Sequence, residues 1–227
     1  MGCCESRDDV AHGKLSIYED PSDSPIGVAF RKSSSTMIPE IKHYYTKFLE
    51  KEPEKVVKII LADRSLGHEG PRLLSLLMPE LIELKKISLQ NNSLDDLGLT
   101  ELCKNLPSVR GLLKLTISYN KITTQGIESL SLCLPYLNKL KVLNLNNNLI
   151  DKTSVDFLIE GIKRLNFLSI FDLSENKLNK KSLLKIAEVL KLKKDLKKFL
   201  VTGNKLKEGD INQIQDILPG IELEEKA

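Results

Sequence analysis

The most distinctive chemistry in the chain lies in its first six residues, Met1-Gly2-Cys3-Cys4-Glu5-Ser6. They fit M-G-x-x-x-[ST], in which removal of Met1 frees the Gly2 amine to form an amide with myristate, and Cys3 and Cys4 offer thiols for thioester-linked palmitate. One myristoyl chain holds a protein on a bilayer with an association constant of only about 10⁴ M⁻¹, so stable residence needs a second signal. A polybasic patch does not provide it: residues 1–36 carry Arg7, Lys14, Arg31 and Lys32 against Glu5, Asp8, Asp9, Glu19, Asp20 and Asp23. Palmitate on Cys3 or Cys4 does. The expectation is a lipid anchor at Gly2, Cys3 and Cys4 on the cytoplasmic face of a membrane, with the plasma or ciliary membrane as settings. Arg31-Lys32-Ser33-Ser34-Ser35 also has the form of a basophilic kinase site.

Other reactive residues are sparse. His12, His43 and His68 are the three histidines, and none stands at metal-ligand or triad spacing from a Cys, Asp or Glu. No phosphate-cradling glycine loop and no nucleophile elbow occurs. Cys103 and Cys133 sit singly within helical patterns, where they read as small core hydrophobes, so no disulfide framework is expected. No catalytic site, metal or cofactor is expected. Charge is balanced, with Lys+Arg 34 against Asp+Glu 31, Trp is absent and aromatics make up 5%. That composition argues against nucleic acid, whose single-strand readers interleave basic patches with stacking aromatics. No apolar window approaches the ~18 residues of a membrane span.

Positioning elements emerge from the periodicity. Residues 1–36 are rich in Ser, Asp, Gly and Pro without a sustained apolar period, as in a disordered acylated tether. Over 37–55, Pro39 suits a first helical turn, and Ile41, Tyr44 or Tyr45, Phe48 and Leu49 recur at helical spacing, which predicts an N-terminal capping helix. From Val56 the chain falls into six 28-residue rows that end at Leu223, followed by a tail over 224–227. Leu84-Ile87-Leu89-Asn92-Leu94 follows L-x-x-L-x-L-x-x-N-x-L, and the same pattern recurs from Leu112, Leu140, Leu168 and Leu196. Two further columns stand four residues apart, as on one helix face: Leu74, Leu102, Leu130, Leu158, Ile186 and Ile214, then Met78, Leu106, Leu134, Ile162, Leu190 and Leu218. Each row reads as strand, turn and helix, and no row can bury its apolar face alone, so rows must stack.

This pattern closely resembles the ribonuclease-inhibitor type of leucine-rich repeat. The resemblance implies an α/β solenoid, a horseshoe with parallel strands on the concave side and helices on the convex side. The repeated Asn is placed to bond the backbone of the turn after each strand. Gly70, Gly98 and Gly126 share a column assigned to the turn before the helix. Arg64 replaces the Asn in the first row, and the last row ends in GIELEEKA without a seventh strand, as suits terminal repeats. Ladder Asn also stands where ribonuclease inhibitors often have Cys, and the array is shorter, so ribonuclease binding is not carried over. The N-terminus resembles those of Src-type kinases, G-protein α subunits and protist membrane or flagellar proteins.

Within such a horseshoe the resemblance places the partner against the x positions of the strand motif. Across rows these are Ser88, Gln90 and Asn91; Thr116, Ser118 and Tyr119; Asn144, Asn146 and Asn147; Asp172, Ser174 and Glu175; and Thr202. The candidate partner-binding set is Gln90, Asn91, Ser118, Tyr119, Asn144, Asn146, Asn147, Asp172 and Glu175, a polar surface suited to a protein epitope. Another column, Lys58, Lys86, Lys114 and Lys198 with Val142 and Ile170 between, predicts a basic edge that could steer an acidic partner or anionic lipid. The functional expectation is a membrane-tethered scaffold for a protein partner. The alternatives are a regulator of a small GTPase, since the repeats also resemble those of the Ran GTPase-activating family, and a structural component of a membrane-associated cytoskeleton or cilium.

Overall fold

The computed structural model describes residues 56–223. The expected lipid anchor, the tether, the helix over 37–55 and the tail over 224–227 therefore lie outside the described residues. Six short strands, β1 (Lys58–Ile60), β2 (Lys86–Ser88), β3 (Lys114–Thr116), β4 (Val142–Asn144), β5 (Ile170–Asp172) and β6 (Lys198–Leu200), form one parallel sheet in sequence order. They pair without slippage in the 28-residue register, Ile59 opposite Ile87, then Leu115, Leu143, Phe171 and Phe199. Between and after them come helices α1 (Glu69–Leu77), α2 (Asp96–Cys103), α3 (Thr124–Cys133), α4 (Val155–Lys163), α5 (Lys180–Leu190) and α6 (Asp210–Ile217). The chain is a leucine-rich-repeat solenoid of α/β class. Strands pack about 4.8 Å apart, whereas a helix needs about 10 Å, so the sheet takes the inner side of the curve.

Both helical columns and the central strand column fill one continuous core. Leu102, Leu130, Ile186 and Ile214 are wholly buried, as are Leu106, Ile162 and Leu190, and Phe171 stacks on Phe199 with ring centroids 5.8 Å apart. The Asn column is a hydrogen-bond ladder between rows. Asn148 Nδ2 donates to Ile117 O at 3.0 Å in the preceding row, and to Leu145 O at 3.0 Å and Asn146 O at 3.3 Å in its own. Its Oδ1 accepts from Ile122 N at 3.1 Å. Asn92, Asn120, Asn176 and Asn204 repeat the arrangement. Buried backbone groups beyond the end of each strand are satisfied in this way. Arg64 fits the first row because its backbone N–H donates to Asn92 Oδ1 of the second, at 2.9 Å.

Two details differ from the sequence reading. Gly70, Gly98 and Gly126 lie within the first turns of α1, α2 and α3 rather than before them. For two of them the requirement is close approach: a Cβ on Gly98 would meet His68 Cα at 3.1 Å, and one on Gly126 would meet Asp96 Oδ1 at 2.5 Å and Ile122 Cγ2 at 2.9 Å. At the other end, the chain after α6 turns back to the open edge of β6, where Phe199 N donates to Glu222 O at 2.8 Å and Val201 N to Leu223 O at 3.1 Å. Glu222 pairs with Lys198 as an isolated parallel bridge, so a partial seventh rung exists, four residues ahead of the 28-residue register. It covers backbone groups that an edge strand would otherwise expose.

Candidate functional site: the inner face of the sheet

Alternation along each three-residue strand decides which side chains face inward to the core and which face the open side. With Ile59, Ile87, Leu115, Leu143, Phe171 and Phe199 in the core, the residues on either side of them in each strand share the opposite face. Four columns then cross the inner side of the solenoid. The first is Lys58, Lys86, Lys114, Val142, Ile170 and Lys198; the second is Ile60, Ser88, Thr116, Asn144, Asp172 and Leu200. A third column holds Ala62, Gln90, Ser118, Asn146, Ser174 and Thr202, and a fourth holds Asp63, Asn91, Tyr119, Asn147, Glu175 and Gly203.

The nine candidate residues share this face but not the same exposure. Asn91, Tyr119, Asn147 and Glu175 are exposed, and Gln90, Asn144 and Asn146 are half-buried. Ser118 and Asp172 are buried, 2% and 6% exposed, and form part of a floor rather than a contact rim. Rows about 4.8 Å apart let the longer neighbours above and below shield a short side chain. Asp172 is held by its surroundings: Oδ2 accepts from Asn144 Nδ2 at 3.0 Å and Oδ1 from Ser174 N at 3.0 Å. Asn144 Oδ1 accepts from Asn146 N at 3.0 Å. Two polar atoms on this floor stand apart. Thr116 Oγ1 and Asn146 Oδ1 are buried and have no hydrogen-bond partner among the described residues. Such a group costs free energy until a donor or acceptor reaches it.

The fourth column has a shared backbone conformation that the sequence reading did not identify. Asp63, Asn91, Tyr119, Asn147 and Glu175 have φ of 59°, 52°, 55°, 50° and 53°, and Gly203 has 68°. Asn, Asp and Gly adopt this left-handed region readily, whereas Tyr and Glu do so at a cost. The presence of Asn91, Asn147 and Gly203 at one repeat position was the available signal. Tyr119 and Glu175 are thus held outward in strained turns, with Tyr119 48% exposed and the Glu175 carboxylate lying over Gly203, where a Cβ would come within 2.1 Å of Oε1. Asn91 Nδ2 donates to Asp63 Oδ1 at 2.7 Å, tying the first two rows together.

Charge is unevenly distributed over the face. Lys58, Lys86 and Lys114 are register partners on adjacent strands. Among the described residues none of the three has a carboxylate within ion-pair distance, whereas Lys198 in the same column is neutralised by Glu222 at 2.9 Å. Asp172 and Glu175 lie two rows away from Lys114. The lysines therefore belong to the same face as the polar candidates, at its edge, next to half-buried Val142 and Ile170.

On the helical side of the described residues the two thiols are enclosed. Cys103 and Cys133 are both buried, and the Cys133 thiol approaches Cys103 O at 3.1 Å. The hydrogen bond to Cys133, together with burial, pushes the Cys103 thiol up, so it stays protonated. Among the described residues no group of three His, Cys, Asp or Glu side chains is placed to hold a metal ion, and no helix is long and apolar enough to cross a membrane.

No protein-family model matches the chain, and no curated protein matches it. Among solved structures, a leucine-rich-repeat protein of Leptospira interrogans is similar with a TM-score of 0.47 and 20% identity, over 76% of this chain and 38% of that one. A chain in the BIR3–SERK2 complex from Arabidopsis thaliana is similar with a TM-score of 0.36 and 22% identity, over 60% of this chain and 62% of that one. The chain thus spans less than two thirds of either structure. Its repeat fold rests on its own strand register and Asn ladder.

Proposed function

We propose that this chain is a protein-interaction scaffold that receives a partner on the inner face of its sheet and is tethered to a membrane by acyl groups on Gly2, Cys3 and Cys4. The observation that carries the binding half is the pair of buried, unpartnered atoms on that face, Thr116 Oγ1 and Asn146 Oδ1. They belong to the same two middle rows as Tyr119 and Asn147, whose turns have positive φ. A partner with backbone or side-chain hydrogen-bonding groups satisfies the two atoms once the side chains that cover them shift, and the exposed Tyr119 ring supplies the rigid amphipathic contact area that dominates many interfaces. The tethering half is supported by the first six residues alone.

Both halves have direct tests. Tyr119→Ala with Asn146→Ala leaves the circular-dichroism spectrum unchanged and removes the partners recovered by proximity labelling with the wild-type chain; full recovery of those partners contradicts the binding half. Gly2→Ala moves the protein to the soluble fraction, and unchanged membrane association contradicts the tethering half.

A further inference from the structure

We infer that the segment received by the inner face is acidic, and that its carboxylates lie across rows one to three against Lys58, Lys86 and Lys114. The inference rests on the binding half of the proposed function and specifies the chemistry of the partner. Three like charges are stacked on neighbouring strands about 4.8 Å apart, an arrangement that disfavours the free protein. Lys58 is exposed, and Lys86 and Lys114 are half-buried, as expected of stems that lie along the sheet while their ammonium groups reach solvent. Within this column Lys198 is neutralised, by Glu222 at 2.9 Å, and the comparison sets the other three lysines apart. In rows one to three no carboxylate of the described residues lies within ion-pair distance of this stripe.

A second observation points the same way. Thr116 is two residues after Lys114 on the same face, is 6% exposed, and its hydroxyl has no partner among the described residues. A hydroxyl can donate to a carboxylate, and Thr116 shares its strand and its face with Lys114, so a carboxylate held by Lys86 and Lys114 can take the Thr116 proton once the side chains that cover this hydroxyl move aside. The acidic pair Asp172 and Glu175, two rows further on, disfavours continuation of the acidic stretch in that direction. The partner segment therefore crosses the strands with its acidic stretch over rows one to three, and charge sets its polarity.

The test uses the full chain and a fluorescein-labelled peptide of alternating Glu and Ser, with a Gln-for-Glu peptide as control, in fluorescence anisotropy at about 0.15 M ionic strength. The Glu peptide binds and the Gln peptide does not. Lys86→Gln with Lys114→Gln weakens the Glu peptide by on the order of tenfold. Lys139→Gln with Lys181→Gln, exposed lysines outside the stripe, changes it less than about twofold, where twofold corresponds to only ~0.4 kcal/mol. Thr116→Val weakens it about threefold without lowering the unfolding midpoint, which separates recognition from folding. Equal loss in both lysine pairs means a general charge effect and overturns the inference. So does lysine-dependent binding to phosphatidylserine vesicles without binding of the Glu peptide, which would make a lipid surface the occupant. If the Tyr119 and Asn146 variant loses its labelled partners while the Lys86 and Lys114 variant keeps them, the face is right and its acidic partner wrong. If neither variant loses them, the binding half itself fails.

Discussion

Replacing Asn148 by Ala tests how the turns that carry the candidate site are held. The amide makes four hydrogen bonds, to Ile117 O, Leu145 O and Asn146 O and from Ile122 N, in a position 4% exposed. The three carbonyls each keep another donor: Asn120 Nδ2 for Ile117, Asn176 Nδ2 for Leu145 and Tyr119 N for Asn146. The Ile122 N–H alone is left without its acceptor. An orphaned buried donor costs about 1–3 kcal/mol, and each lost bond contributes about 0.5–1.5 kcal/mol before entropy regained by the shorter side chain is subtracted. A loss of about 3 kcal/mol follows, which for a domain of this size lowers Tm by about 6–12 °C at roughly 2–4 °C per kcal/mol. The assay is thermal and urea unfolding followed by circular dichroism, with Asn147→Gly beside it as the control. Asn147 is exposed with φ 50°, so that change stays within about 0.5 kcal/mol. A loss below about 1 kcal/mol for Asn148→Ala would refute the ladder as the element that fixes the turn.

Two further outcomes follow from the geometry. Glu175→Asn relieves an exposed residue held at φ 53° and raises stability by about 1 kcal/mol, read as a higher urea midpoint; a lower midpoint would mean that the carboxylate over Gly203 stabilises the turn. Asp151 and Asp210 have carboxyls held below the ordinary range, the first by hydrogen bonds from the Thr153 hydroxyl and backbone N–H, the second by Lys207 N–H and then Lys180. A depressed folded pKa contributes stability that is present above the unfolded value near ~3.9 and disappears as pH falls through the folded one, so the urea midpoint falls in that acid window. Asp151→Asn flattens the fall, and an unchanged acid dependence would remove Asp151 from the explanation.

Much of this molecule could be read from periodicity because each repeated column has one physical cause. Leu130 and Leu134 lie on one helix face, Asn148 satisfies a turn, and Leu143 points to the core; each recurs every 28 residues in the structure. What the sequence hid depends on contacts between rows. Gly126 falls inside the helix rather than before it, and the neighbour that a Cβ there would meet first is Asp96 of the preceding row. Ser118 and Asp172 occupy the expected face yet are covered by neighbours, which depends on side-chain lengths in adjacent rows. The left-handed turns at Tyr119 and Glu175 were masked by residue types that seldom adopt them, although Asn147 and Gly203 marked the column. The returning segment at Glu222 breaks the 28-residue period and leaves no periodic trace.

The proposed protein partner occupies the inner face of the sheet. Photo-crosslinking tests this placement most directly, with a benzophenone side chain placed at Tyr119 in one full-length variant and at Lys181 on helix α5 in another. A crosslinked partner is expected from position 119 and none from position 181. Crosslinking from 181 alone would contradict this placement.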